Sequence, residues 1–148
     1  MYSLYEMANG SESTAAFPID HKVYVLVKMH EGLPSMEIRF FKKEEGSLSL
    51  ESELGVRMTR IGWDQLVVDS DEMLSLMKDP SYLQDQNEEI REFVIEENVL
   101  ARPFTGLMIE MFYSKEYSDI YLTAKQFTKL VKGLRENINV AFESLEYE

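Results

Sequence analysis

Alternating apolar and polar positions predict antiparallel strands near the start of the chain. From 22 to 29 every second residue is an aliphatic residue such as Val25, and from 35 to 43 a second run of this kind is centred on Ile38. A period of two is that of a half-buried strand. Residues 30–34 contain glycine and proline and predict the hairpin connection. Shorter or weaker alternation predicts further strands at 17–20, 47–53 and 56–59.

A strand that runs directly into a helix occurs twice in the sequence. After the strand at 56–59, Thr59 can cap a helix that continues to about Lys78, where Asp79 and Pro80 end it. The same three residue types return at a constant offset near the end of the chain. The matched pairs are Thr59 and Thr123, Trp63 and Phe127, and Leu66 and Leu130.

Within the first predicted helix, the stretch Val67–Asp71 has poor helix propensity and predicts a kink. Asp69, Asp71 and Glu72 resemble a fragment of a calcium-binding loop. The stretch lacks the glycine and the regularly spaced acidic ligands of such a loop. We therefore interpret it as a solvated acidic bend in the helix.

The second copy of the unit is predicted from residue 89 onward. Four short strands are followed by a helix that begins at Thr123 and carries one long apolar stripe towards the C-terminus. The predicted strands are 92–97, 98–104, 107–113 and 120–122.

The predicted fold class is α+β, with two tandem copies of about four antiparallel strands followed by a helix. One copy has too little core to be stable alone, so we expect an intrachain pseudo-dimer packed through the helices. The pattern leaves open a further homodimer between chains. The predicted division is a mobile N-terminal arm at 1–16, the first copy at 17–80, a linker at 81–88 and the second copy at 89–148.

Composition and charge narrow the classes of function. The 148 residues are 45% hydrophobic and 11% aromatic, which is enough for a real core, and they contain no cysteine. No apolar run has the length of a membrane helix, and the N-terminus lacks the pattern of a signal peptide. These features favour an intracellular protein. The net charge of −12 opposes general binding to polyanions unless one face is locally basic.

The outward face of the first predicted sheet is locally basic. Its cations and aromatic side chains alternate, and single-strand-binding surfaces combine these two types because charges follow the backbone while rings stack on bases. The alternative is an ordinary solvated sheet face. The candidate nucleic-acid-binding residues are Lys22, Tyr24, Lys28, Arg39, Phe41 and Arg57.

Nothing in the sequence predicts an enzyme, a metal site or a cofactor. The carboxylates are numerous, but no candidate nucleophile or ligand set accompanies them. His21 and His30 are too few and too far apart for a metal site or a catalytic triad. Trp63 could stack on a base, but its place between apolar helix positions favours the core.

The first copy resembles the single-strand-binding domain of the transcriptional coactivator positive cofactor four. The resemblance covers Phe17 to about Asp79, and the spacing from Ile38 to Trp63 is similar to the family's spacing between its arginine-bearing strand and its helix tryptophan. The second copy, about 92–148, resembles it more weakly. The segments that carry the resemblance are Phe17–Ile19, Met36–Phe41, Gly55–Thr59 and Trp63–Leu66.

This resemblance implies a curved four-stranded sheet followed by a helix, dimerisation through the helices, and non-enzymatic binding of single-stranded DNA or unwound duplex along the sheet. For the first copy we predict single-stranded DNA or RNA as the ligand. Arg39 matches the family's strand arginine. In the second copy Glu110 stands at the matching position. The resemblance also implies a role in transcription regulation, favours the nucleus over the cytoplasm and suggests transcription or replication proteins as partners.

A second hypothesis from another class is an acidic protein-interaction module. In that interpretation the fold has lost nucleic-acid binding and contacts basic partners. The net charge and Glu110 favour the second hypothesis, whereas the face that runs from Lys22 to Arg57 favours the first.

Overall fold

The computed structural model describes residues 15–44, 47–84, 90–114 and 117–146, and within 41–54 its description is limited to the backbone. Two four-stranded antiparallel sheets occur in sequence, each followed by helical structure. Residues 1–14 of the predicted arm and 85–88 of the predicted linker lie outside the described residues. Ala15 and Ala16, which the sequence assigned to the arm, belong to the first strand.

The first sheet is a simple meander in the order β1-β2-β3-β4. Glu31 and Gly32, which join β2 to β3, both have positive φ, as a two-residue type I′ hairpin requires. Instead of two separate segments, β4 is one long strand whose register against β3 shifts beyond Arg39. The strands are β1 Ala15–Pro18, β2 Val23–His30, β3 Leu33–Glu44 and β4 Ser47–Thr59.

The second sheet repeats this order as β5-β6-β7-β8. The register equates Ile109 and Ile120 with Ile38 and Val56 of the first sheet, because each pair lies directly opposite across its two final strands. The predicted repeat is therefore confirmed in three dimensions. The strands are β5 Phe93–Glu96, β6 Val99–Pro103, β7 Gly106–Met111 and β8 Ile120–Thr123.

The two helical segments differ in regularity. Helix α1, Arg60–Met77, runs without interruption through the stretch where the sequence predicted a kink, and a short helix α2, Pro80–Gln84, follows. The second segment consists of α3, Ala124–Thr128, a π-helical stretch, Lys129–Gly133, and α4, Arg135–Glu146. The interruption therefore lies in the second copy.

The two units share one core. Helix α1 packs against β5 and β6 of the second sheet as well as against its own, and α4 packs against β2 and β3 of the first. Trp63 is fully buried in α1, and its Nε1 donates a hydrogen bond of 2.7 Å to Oδ1 of Asn139 in α4. One continuous apolar cluster joins both sheets and both helices, so the predicted pseudo-dimer is confirmed.

Candidate nucleic-acid interface

Most of the predicted contact residues share one face of the first sheet. Tyr24 and Arg39 are register partners across β2 and β3. Arg57 in β4 lies opposite Glu37, two residues before Arg39 on the same side of β3. Lys28 follows Tyr24 at an even spacing in β2. The face opposite the shared core therefore combines the cations and the aromatic ring that the sequence predicted there.

The other two predicted residues are not on the described part of this face. Lys22 lies one residue before β2, in an exposed turn, where its backbone N–H donates to Asp20 over 2.9 Å. The backbone of Phe41 pairs with Leu50 beyond the register shift. Its side chain lies outside the described residues.

Glu37 occupies the centre of the face and pairs with two of its cations. The carboxylate is 3.2 Å from Nζ of Lys28 and 3.3 Å from Nη1 of Arg39. Glu37 is 2% exposed and Arg39 is 9% exposed, so this cluster is largely removed from water. In a low-dielectric setting such pairs interact strongly, and the two cations are therefore held by the protein itself.

A side chain from the second unit covers the same cluster. Tyr117, in the β7–β8 connection, donates a hydrogen bond of 2.7 Å from its hydroxyl to Glu37. The guanidinium carbons of Arg39 and Arg57 are 5.4 and 5.7 Å from the centroid of its ring, within cation–π range. The backbone N–H of Ser118 donates to the carbonyl of Gly55 over 2.9 Å, which fixes this connection against β4.

Gly55 is the residue that lets Arg39 lie flat across the sheet. A Cβ built at Gly55 would be 3.0 Å from Cδ of Arg39, closer than a normal contact. The missing side chain at this position leaves room for the arginine on its way to Glu37 and Tyr117.

Electrostatics keep the Tyr117 hydroxyl protonated as a donor. Burial raises its pKa, the adjacent carboxylate of Glu37 raises it further, and the nearby cations of Arg57 and Arg39 offset only part of this. The Nε atoms of both arginines are buried and have no hydrogen-bond partner within the described residues. Arg57, unlike Arg39, also makes no ion pair within that part of the chain.

The corresponding face of the second sheet has different chemistry. Arg102 is paired with Glu110 over 2.7 Å and with Glu92 over 3.0 Å. Val94 and Tyr121 are 67% and 41% exposed on the same side of this sheet. This face combines exposed apolar side chains with an ion-paired cluster of one cation and two carboxylates, and it lacks the row of cations of the first sheet.

A cavity of about 350 Å³ lies beside the face, between the two units. Arg57 and Tyr117 line it from the side of the covered cluster, and the β2–β3 and β5–β6 turns contribute Glu31 and Asn98. Tyr113 lines it at the end of β7 and is 97% exposed. The cavity therefore brings together a guanidinium group, exposed aromatic surface and carboxylates.

The described residues contain no group of three or more His, Asp or Glu side chains placed to hold a metal ion. None of their helices combines the length and hydropathy needed to cross a membrane. Comparison of the chain with protein-family models, with curated proteins and with solved structures found no significant match.

The sequence predicted which side chains share the face but missed what covers it. Tyr117 lies in an irregular connection without periodicity, 80 residues from the Glu37 carboxylate that it contacts. The one available signal was Glu37 itself, an acidic residue at an outward position between two cations. The cavity was also missed, because two turns and a strand end from separate units form it.

Proposed function

We propose that this protein binds single-stranded DNA or RNA without catalysing a reaction, using the outer face of the first sheet and the adjacent cavity. The proposal rests on one observation above all: Tyr24, Lys28, Arg39 and Arg57 emerge on one side of a sheet. The resemblance to the single-strand-binding domain of positive cofactor four supports it. The proposed setting is transcription regulation in the nucleus.

Because Glu37 pairs with Lys28 and Arg39, the proposed binding is weak unless the phosphates of the strand compete for these cations. A phosphate that approaches Lys28 or Arg39 must displace the Glu37 carboxylate or share the cation with it. Arg57 is available for phosphate or base without such competition. With Arg57 as the cation that contributes without competition, the logarithm of the association constant should fall with the logarithm of salt concentration with a slope of about −0.7, which should steepen towards about −2 when all three cations contribute.

The direct test is fluorescence anisotropy of a labelled oligo-dT titrated with the protein at two salt concentrations. We expect salt-sensitive binding that Arg57→Glu weakens by about tenfold or more, because this change reverses a cation beside the cavity. The matched control is Lys125→Glu, which makes the same charge change at an exposed position in α3. Equal losses in both variants, or no loss in either folded variant, would overturn the proposal.

The second candidate is an acidic module that binds basic partners, such as transcription or replication proteins. The observation that favours it is the pairing of Lys28 and Arg39 with Glu37, together with the net charge of −12. On this hypothesis oligo-dT does not bind even at low salt. A labelled lysine- and arginine-rich peptide then binds instead, and replacing the exposed apolar residues Val94 and Tyr121 by serine weakens it.

A further inference from the structure

The residues with strained backbone in the described part of the chain line the cavity between the units. The non-glycine residues with positive φ in this part of the molecule are Glu31, Asn98 and Tyr113, and all of them line the cavity. Asparagine is tolerant of this conformation and Glu31 is part of a tight hairpin. Neither reason applies to Tyr113, which is a bulky residue with φ of 62° that follows the end of β7.

Tyr113 also exposes almost its whole ring to water, although the residue is held in an unfavourable backbone conformation. An aromatic ring in solvent contributes little to folding. Strained residues that do not contribute to the core are found preferentially at binding sites. The ring of Tyr113 is therefore better suited to contact a ligand than to stabilise the core.

The lining also supplies hydrogen-bond donors and acceptors. Arg57 lies beside the Tyr117 ring and forms no ion pair within the described residues. A guanidinium group presents its donors in a planar fork that matches two adjacent acceptors. Glu31 and Glu97 line the same cavity with exposed carboxylates.

We propose that this cavity binds one unstacked guanine base. Arg57 donates to O6 and N7, a carboxylate of Glu31 or Glu97 accepts from N1–H and the 2-amino group, and Tyr113 stacks on the ring. The inference deepens the proposed function and rests on it for the source of the base, a single strand. A free guanine nucleoside has the same base chemistry and is the other source that the experiment must separate.

The pairing of a guanidinium group with carboxylates selects guanine among the bases. Guanine presents two adjacent acceptors, whereas adenine places a donor next to its N7 acceptor and would oppose Arg57. The N1–H and 2-amino donors of guanine face the carboxylates of Glu31 and Glu97. Because the base is neutral, the acidic residues around the cavity do not repel it, as they would repel a lone phosphate or carboxylate ligand.

The test compares two labelled strands of equal length, oligo-dT and oligo-dT with one central guanine, and adds free guanosine as a third ligand. We expect the guanine-containing strand to bind at least about fivefold more tightly than oligo-dT, the discrimination of one good bidentate contact. In Arg57→Gln this difference should disappear. Backbone amide shifts at Arg57, Asn98 and Tyr113 report whether guanosine enters the cavity.

The outcomes separate the two proposals. Equal binding of both strands overturns the guanine site and leaves single-strand binding intact. Guanosine binding without binding of either strand supports the site and overturns the proposed function. No binding of strands or guanosine overturns both.

Tyr113→Gly distinguishes a binding role from a structural one. Glycine adopts positive φ without strain, so this variant should unfold at a higher temperature while it binds the guanine-containing strand several-fold more weakly. If Tyr113→Gly is stabilised and binds as tightly as the original protein, the proposed stacking role is wrong.

Discussion

One buried carboxylate determines the chemistry of the first sheet's outer face. Glu37 lies between Lys28 and Arg39 and accepts a hydrogen bond from Tyr117. Removing charged groups from water is costly, and the attraction between them compensates only when partners and hydrogen bonds are complete. The cluster is therefore sensitive to the loss of any single member.

The hydroxyl of Tyr117 provides a specific test of this sensitivity. Tyr117→Phe removes the donor that is 2.7 Å from Glu37 but keeps the ring against Arg39 and Arg57. We expect the free energy of unfolding to fall by about 1–3 kcal/mol, because the hydrogen bond is to a charged group and buried. Urea denaturation measures the change.

Tyr121→Phe is the control for this substitution, since Tyr121 is substantially exposed. Its loss of a hydroxyl should change stability by less than about 0.5 kcal/mol. If the two phenylalanine variants lose the same stability, the contact between Tyr117 and Glu37 has no special role.

At the scale of elements, the two units are tied by equivalent acidic residues. Glu96 ends β5 and accepts hydrogen bonds from the backbone N–H of Thr59, over 2.8 Å, and from its hydroxyl. Asp20, which follows β1, accepts from the side chain of Gln126 in the first turn of α3 over 2.8 Å. In both cases an acid after the first strand of one unit holds the helix start of the other, where negative charge is favourable.

These contacts also explain two details of the helix starts. Thr59 occupies the N-cap position of α1, but its hydroxyl donates to Glu96 and makes no capping hydrogen bond. Gly62 leaves space for the same carboxylate, because a Cβ there would clash with it. At the start of α3, by contrast, Thr123 and Gln126 form a complete capping box.

The contact at Asp20 predicts a dependence of stability on pH. Burial alone would raise the pKa of this carboxyl, but hydrogen bonds from Gln126 and from the backbone of Lys22 and Val23 outweigh it and lower the pKa. A lowered pKa in the folded state stabilises the protein above the ordinary aspartate value. This stabilisation is lost as the pH falls through the folded-state value.

Asp20→Asn should therefore lose about 1 kcal/mol of stability at neutral pH. The difference from the original protein should be constant above about pH 5 and shrink below about pH 4. Unfolding by urea at a series of pH values measures it. Asp64→Asn, an exposed carboxylate near Arg60, should show almost no difference, and a pH-independent effect of Asp20→Asn would contradict the interpretation.

The hydrogen bond between the helices gives a second prediction at this scale. Asn139→Ala leaves the buried Nε1 of Trp63 without its acceptor and should cost about 1–3 kcal/mol. Asn137→Ala, at an exposed position of the same helix, is the matched control. Thermal unfolding should separate the two variants clearly, and equal melting temperatures would show that the inter-helix bond contributes nothing.

The kink illustrates where local sequence reasoning fails. The stretch 67–71 has poor helix propensity, yet α1 is continuous, because Leu66 and Met73 anchor it in the shared core on both sides of that stretch. Ser70 satisfies its hydroxyl by donating to the Val67 carbonyl over 2.7 Å. Tertiary packing outweighs a few tenths of a kcal/mol of propensity per residue.

At the scale of the whole molecule, the periodicity of apolar residues predicted the fold. It did not predict the cavity or the side chain that covers the first sheet. Two patterns were sufficient to predict two sheets and a pseudo-dimer. They are the alternation at Val25 and Ile38 and the recurrence of Thr59 and Trp63 at Thr123 and Phe127. Whether the outer face of the first sheet is covered depends on where the β7–β8 connection of the second unit crosses it. That position follows from how two complete units pack, and residue patterns within one unit do not record it.

The same packing links the two proposals to one surface. Tyr117 and Arg57 belong both to the covered cluster and to the lining of the cavity. The covered cluster and the cavity therefore share these two side chains.

The most direct test of the central claim is the oligo-dT affinity of Glu37→Gln at low salt, with folding checked by circular dichroism. The account predicts binding about three- to tenfold tighter than that of the original protein and a steeper salt dependence, because Lys28 and Arg39 become available to phosphates. Glu136→Gln, the same substitution at an exposed position of α4, should leave the affinity unchanged. Unchanged or weaker binding by folded Glu37→Gln would contradict the claim that this carboxylate withholds Lys28 and Arg39 from nucleic acid.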